Sequence, residues 1–278
     1  MLTKKGFSAF SMLTLAVCVG GAVIVFFPLF WMALTSLKTP PEIMKVPLSF
    51  FPKNFLNFNN YWRITLEEPI GWSMINSIII SSIAVLSSLL LSSLAGFGFA
   101  KFNFYGKNVL FFAIIALLMV PFQSIVVPLY LWVNRFGLIN TYPGIVLPFL
   151  VSAFGVFLMR ESIAEIPDDY IDAATIDGCS YLGIFFRIIL PNVKPALVAL
   201  AIIKFMWTWN EFLWPLVTTS SERMKVVTVA LMGFKDMHFT RFELVTAGAT
   251  VSILPLAIVF IILQKHVVKA IATSGLKG

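Results

Sequence analysis

The residues of this chain that could do chemistry fall in two places. Between positions 160 and 194 the sequence turns polar and gathers Glu161, Glu165, Asp168, Asp169, Asp172 and Asp177. Pro167 suits a first helical position, and Asp168 and Asp169 would then oppose the positive end of the helix dipole. A helix begun there should run to Asp177 and stop at Gly178, a residue suited to a left-handed cap. Ser180 can cap a second short helix towards Leu190, before Pro191 returns the chain to an apolar stretch. Two short helices joined by a glycine elbow, the first of them acid-rich, form a docking knob for another protein. The second place is an apolar stretch carrying Lys204 and Glu211, seven residues apart and hence on one helix face. Charges in such a stretch are costly and commonly functional. Both could stand on a cavity wall, or Lys204 could snorkel or pair locally while Glu211 sits near an interface. His238 and His266 have no metal-ligand neighbour, no His/Cys/Asp cluster appears, and no glycine loop of the form G-x-x-x-x-G-K-S/T occurs. Catalysis, a bound metal and ATP hydrolysis are therefore not expected of this chain.

The elements that hold these residues follow from composition. Of 278 residues, 59% are hydrophobic and only 12% charged, with a mean hydropathy of +0.93. A soluble domain needs roughly twice that share of charge to cover its surface, so most of this surface must face lipid. A helix crossing the hydrocarbon layer takes about 20 apolar residues. Runs of that kind lie at 12–34, 74–100, 109–133, 143–159, 195–217 and 244–263, the fourth being the shortest. The expected fold is all-α: a polytopic bundle of about six spans in one domain, 1–278, with the polar loop 160–194 outside the bilayer. Barrel strands would read as alternating stretches of about ten residues. The net charge of +7 is scattered among loops, with no basic stripe interleaved with aromatics, so nucleic acid is not an expected partner. Cys18 and Cys179 make neither a disulfide framework nor a zinc site. Val17 is too bulky for a lipoprotein cleavage box and the apolar run continues past Cys18, so the first segment reads as an uncleaved span.

Several spans carry signs of packing and bending. Ala84, Ser88, Ser92, Gly96 and Ala100 recur every four residues and make a ribbon of small side chains on one face of the second span. Pro121 and Pro128 in the third span, Pro148 in the fourth and Pro255 in the sixth each free a carbonyl, which a bilayer tolerates where neighbours or a water path satisfy it. The connection from Thr35 to Ser73, with Lys38, Pro40, Pro41, Pro47 and Pro52, is too broken for a long helix and is expected on the outer surface. Lys4 and Lys5 favour the cytoplasm for the first terminus, and an even number of spans returns the second terminus to the same side.

The polar loop also carries a resemblance. Asp172-Ala173-Ala174 is followed after three residues by Gly178 and after nine more by Ile188-Ile189-Leu190-Pro191. This resembles the E-A-A, three residues, G, nine residues, I-x-L-P signature in membrane subunits of binding-protein-dependent ABC importers, with Asp in place of Glu. Phe27-Pro28, Trp31-Met32, Thr35-Ser36-Leu37-Lys38, Asn76-Ser77, Gly137-Leu138-Ile139-Asn140-Thr141-Tyr142, Trp209-Asn210-Glu211-Phe212-Leu213-Trp214-Pro215-Leu216 and the tail Ser274-Gly275-Leu276-Lys277-Gly278 extend the likeness along nearly the whole chain. Together they resemble the carbohydrate-uptake branch, the maltose-type second permease in particular.

That resemblance implies a type I importer permease fold and a division of labour. Asp172, Ala173, Ala174, Asp177 and Gly178 would form the coupling helix and its elbow, with Ile188 and Pro191 anchoring the segment to the membrane. Asp172 is one methylene shorter than Glu, which puts a direct ionic contact to the ATPase in question. The implied partners are a homologous permease, two ATPase subunits that hold ATP and Mg, and an external solute-binding protein; this chain would bind no cofactor. The implied site is the inner membrane, with both termini cytoplasmic. Translocation-path candidates are Asn76, Gln123, Lys204, Trp209, Asn210 and Glu211, where the cation of Lys204 would suit an acidic sugar or sugar phosphate. An ion-coupled secondary transporter is the rival reading; it would need coupling carboxylates or broken helices near the midplane and no docking loop.

Overall fold

A computed structural model describes residues 9–67, 70–234 and 240–274 of the chain. Lys4, Lys5, Lys235, His238, the tail from Gly275 to Gly278 and the side chain of His266 lie outside the described residues. In chain order the helices are α1 (Ala9–Thr35), α2 (Pro40–Ile43), α3 (Asn59–Leu66), α4 (Ile70–Lys101), α5 (Lys107–Ala116), α6 (Phe122–Arg135), α7 (Tyr142–Val146), α8 (Ala153–Ala164), α9 (Asp169–Ile176), α10 (Tyr181–Ile184), α11 (Leu190–Asn192), α12 (Lys194–Trp209), α13 (Leu213–Thr218), α14 (Val227–Ala230) and α15 (Phe242–Ser274). Among the described residues, three helices are long and apolar enough to cross a membrane alone, within α1, α4 and α15. Three further pairs pass the same test only as bent spans, bringing the total to six.

The bent spans correct the expected continuous ones. The third breaks into Lys107–Met119 and Phe122–Arg135 with a 102° bend. Pro121 has no N–H to donate, and its ring drives Val120 into extended backbone (φ −85°, ψ 114°). Pro128, by contrast, is carried inside α6. The fourth span bends by 46° between Tyr142–Phe149 and Ala153–Ala164, where Ser152 stops one helix and caps the next by accepting a hydrogen bond from Gly155 N at 3.1 Å. Because α8 runs on to Ala164, the polar loop starts about five residues later than position 160. The fifth span ends at Trp209, and Leu213–Thr218 is a separate short helix.

By contacts the chain forms two compact units. In the first, residues up to 70 with 231–253, polar side chains order the long connection after α1. Asn60 donates to the carbonyls of Ser36 and Lys38, both at 2.8 Å. Buried Lys38 donates to Ser49 O at 2.6 Å and lies over the Trp31 ring; burial lowers its pKa against the opposing pull of Glu42. The Glu42 carboxylate accepts from Thr39 N (2.8 Å), Thr39 Oγ1 (2.8 Å) and Lys53 N (2.9 Å). The hydrogen bond from the Thr39 backbone, followed by that from Lys53, holds its pKa below the usual carboxylate range. Arg63 pairs with Glu67 at 2.9 Å and with buried Glu243 at 3.6 Å, and Arg241 also binds Glu67.

In the second unit, residues 71–230 and those from 254 onward, the ribbon of small residues on α4 is buried at Ala84, Ser88 and Ser92. It lets α8 approach closely. A Cβ on Gly96 would lie 2.8 Å from Arg160 N and from Met159 Cβ, and one on Gly155 would collide with the Ser92 hydroxyl. Without a hydrophobic force between helices in lipid, this close contact is a principal source of helix association. Phe97, Met159, Ile163, Phe185, Ile189 and Leu200 fill one apolar core at the end of the unit that carries the polar loop.

Two outcomes test this packing. Gly96→Val should destabilise the purified protein by about 1–3 kcal/mol, seen as a lower unfolding temperature in detergent. Gly98→Val, where a Cβ meets nothing within 4 Å, should leave it unchanged. Glu42 adds stability fully above its ordinary unfolded pKa and loses it as pH falls through its lower folded value. Glu42→Gln should therefore abolish that acid-side fall in a pH series of thermal melts while lowering stability at neutral pH.

Candidate functional site

The polar loop folds as an elbow. Asp168 sits at the helix start with no side-chain capping bond, so Pro167 precedes the helix rather than opening it. The Asp168 carboxylate is instead held by Lys101 at 2.6 Å, and the same ammonium binds the carbonyl of Ile166. Lys101 is the last residue of α4, so the loop is tied directly to a long span. The helix α9 closes at Gly178, whose φ is +79°. Gly178 N donates to Thr175 O at 3.0 Å and Cys179 N to Ala174 O at 2.9 Å, the paired bonds of a Schellman cap. Ser180 then caps α10 by accepting from Gly183 N at 3.2 Å.

Beyond the elbow the chain meets Pro191, which cannot donate to the carbonyl of Arg187. The helix responds with a π-turn over Phe185–Ile189. Asn192 Nδ2 donates to Ile188 O at 2.8 Å, and an 80° bend leads into α12.

The signature residues divide between the two faces of the elbow. Asp172, Ala173, Asp177 and Gly178 are exposed, whereas Ala174 is buried in the core formed with Phe97, Met159 and Phe185. Ile188 is half-buried against that core and Pro191 is exposed. A cavity of about 580 Å³ lies beside α9, lined by Asp169, Tyr170, Ala173, Asp177 and Ile188 among others. Two exposed apolar side chains complete the outer surface, Tyr170 at 58% and Ile176 at 87% exposure. The motif spacing singles out neither of them, nor Lys101; the available signal is Ile176 four residues from Asp172, on the same side of the helix as that acid.

The second group of candidates surrounds the end of α12. The helix α12 stops at Trp209, and the Glu211 carbonyl beyond it has no helical donor, since position 215 is proline. Thr228 Oγ1 donates to that carbonyl at 2.7 Å, and the Glu211 carboxylate accepts from Trp214 N at 3.2 Å. Glu211 therefore lies past the end of the helix that carries Lys204, and the two do not share a helix face. Lys204 is buried, with its ammonium 5.8 Å from the Phe149 ring centre and no acceptor among the described residues. Trp209 is buried and stacks on Phe205 at 5.5 Å. Asn210 is exposed and donates to Met206 O at 2.9 Å; with Met206 and Trp207 it makes the open side of α12. Gln123 is exposed on the first turn of α6. Asn76 is buried with its amide fully engaged: Nδ2 donates to Arg223 O (2.8 Å) and Lys225 O (2.9 Å), and Oδ1 accepts from Tyr142 at 2.6 Å. Two residues of the resembling segments to which the sequence assigns no role act here as positioning residues. Asn140 Oδ1 accepts from Ser220 N, Ser221 N and Ser221 Oγ, each at 3.0 Å. Trp214 Nε1 donates to the carbonyls of Gly144 and Ile145 at 3.2 and 3.1 Å.

Bent apolar spans joined by an exposed polar elbow are the build of a polytopic membrane protein. Residues 88–273 match the family of binding-protein-dependent transport system inner membrane components, and the chain belongs to that family. It is 32% identical to the arabinooligosaccharides transport system permease protein AraQ of Bacillus subtilis, over 92% of both chains. It is 31% identical to the lactose transport system permease protein LacG of Rhizobium radiobacter, over 95% of this chain and 94% of that one. In fold it is similar to a chain of a bacterial ABC transporter involved in the import of the acidic polysaccharide alginate, with a TM-score of 0.80 and 21% identity over 95% of this chain and 99% of that one.

Cutting the tie at the elbow should show in its dynamics. Lys101→Met removes the ion pair to a largely exposed carboxylate and the hydrogen bond to the Ile166 carbonyl, together about 1.4 kcal/mol after solvent screening, so amide exchange across residues 169–177 should quicken about tenfold, while Lys101→Arg largely restores protection.

Proposed function

We propose that this chain is the permease subunit of an ATP-driven importer, pairing with a homologous permease to enclose the path for a sugar, oligosaccharide or related polyol or sugar phosphate. The observation that carries this reading is the elbow itself. A Schellman-closed α9 presents Asp172, Ala173 and Ile176 outward at the spacing of the importer signature, while Ala174 on its inner face is packed into the membrane core. Such a part is shaped to receive force from outside and pass it to the spans.

The partners follow from what the chain lacks. With no phosphate-binding loop in its sequence, hydrolysis of ATP with Mg falls to two separate ATPase subunits, one of which would seat on the exposed face of α9. An external binding protein would deliver the solute to the opposite side. Closure of the ATPase pair would move the elbow as a rigid body and switch the cavity between inward- and outward-facing states. The energy of that switch is the difference in binding of ATP and loaded receptor to the two states. The chain would act as one permease domain, 1–278, in the inner membrane with the elbow and both termini cytoplasmic. The carbohydrate class is supported by the relatives, whose names specify arabinooligosaccharides and lactose. Along the path, exposed Asn210 and Gln123 are the candidates best placed to meet solute, with Trp209, Glu211 and Asn76 holding the surrounding chain.

Gly178→Val tests the mechanism. A Cβ there meets nothing within 4 Å, so the substitution adds no clash; it forces a branched residue into left-handed backbone, at a cost of about 1–2 kcal/mol. In proteoliposomes of the assembled complex, solute-stimulated ATP hydrolysis should fall at least tenfold. Undiminished coupling would remove the elbow from the mechanism, and uptake driven by an ion gradient without ATPase subunits would establish the secondary carrier.

A further inference from the structure

A second concave site lies away from the elbow, where the third span begins and the fourth ends. A cavity of about 880 Å³ opens there between the turn 103–106, the start of α5 and Arg160 of α8. Two cations border it. Arg160 is fixed in place, with its guanidinium 4.4 Å above the Phe111 ring centre and one nitrogen bound to Glu161. Lys107 is half-buried and has no acceptor among the described residues. Asn108 adds a neutral polar group to the same rim. The remaining wall is apolar and open: Phe104 is 43% exposed, Tyr105 fully exposed and Val109 74% exposed.

We propose that this cavity holds the headgroup of an anionic phospholipid, with the phosphate between Lys107 and Arg160 and the acyl chains against Val109 and the lipid-facing side of α5. Each part of the wall has a counterpart in that ligand. Two cations at a membrane edge suit a phosphodiester, since basic pockets between spans capture such groups. Arginine pre-set by an aromatic face presents its free N–H groups with little loss of freedom. The exposed apolar side chains begin where the span enters hydrocarbon, so one ligand with a charged head and an oily tail satisfies both halves. A free inorganic anion would leave Tyr105, Val109 and Phe104 uncovered. The orientation proposed above would place this lipid in the cytoplasmic leaflet; the binding chemistry does not depend on it.

The test is native mass spectrometry of the full-length chain, titrated with phosphatidylglycerol or phosphatidylcholine of the same acyl composition. The first phosphatidylglycerol should bind about tenfold more tightly than phosphatidylcholine. Lys107→Gln should remove that preference, and exposed Lys194→Gln should keep it. Arg160→Gln should weaken it too, but Arg160 also braces Phe111, so Lys107 is the deciding position. Equal binding of the two lipids, or a preference untouched by Lys107→Gln, overturns the proposal. Displacement of the lipid by millimolar inorganic phosphate also overturns it, in favour of a free-anion site. No ATPase or solute takes part, so a negative result here leaves the importer reading standing, and failure of the Gly178 experiment leaves this one standing.

Discussion

A carbonyl or amide inside the hydrocarbon layer has no water to turn to, and every departure from regular helix must find its replacement partner within the protein. The second unit is organised by that demand. Pro215 denies the Glu211 carbonyl its helical partner, and Thr228 supplies one from another segment. Pro191 does the same to Arg187, and the chain answers with a π-turn and the amide of Asn192 at the neighbouring carbonyl. Ser152 uses its hydroxyl to begin a helix in the middle of a span. Each break is thus closed locally. The closures place polar groups and bends within otherwise apolar spans.

The same economy of space ties the elbow to the bundle. Gly96 and Gly155 bring α4 and α8 within backbone contact, and Ala174 of α9 reaches into the core beneath them. Lys101 adds an ionic bond between the end of α4 and the entrance to α9. A push on the outer face of α9 is therefore received by two spans through contacts that resist compression, since packed interiors yield little. Dynamics at this end of the protein should be those of a rigid lever and not of a loose loop.

Much of this architecture is legible in the amino-acid sequence. The glycine stop, the Ser180 cap and the small-residue ribbon rest on local rules, and local rules act on a few neighbouring residues at a time. The six apolar segments are visible for the same reason, because hydropathy averages over a window. What escapes is set at longer range. Pro121 announces a bend, but its size of 102° depends on what Phe122–Arg135 packs against. Lys204 and Glu211 look like neighbours on one face because periodicity assumes an unbroken helix, and α12 stops two residues before Glu211. Lys101 reads as an ordinary positive residue at a span end, because its partners Ile166 and Asp168 stand some 65 positions away in the chain. Asn76 reads as a path residue, and its three hydrogen bonds go to segments remote in sequence.

The outer tip of α9 carries one more implication. Ile176 and Tyr170 are exposed among the described residues, and burying such side chains contributes on the order of 1.5–3 kcal/mol apiece. The feature that makes the tip adhesive to a partner makes a solitary copy adhesive to everything else. If a partner covers that tip in the assembled complex, a surplus copy of the subunit would leave an apolar patch open and be the form most prone to aggregate.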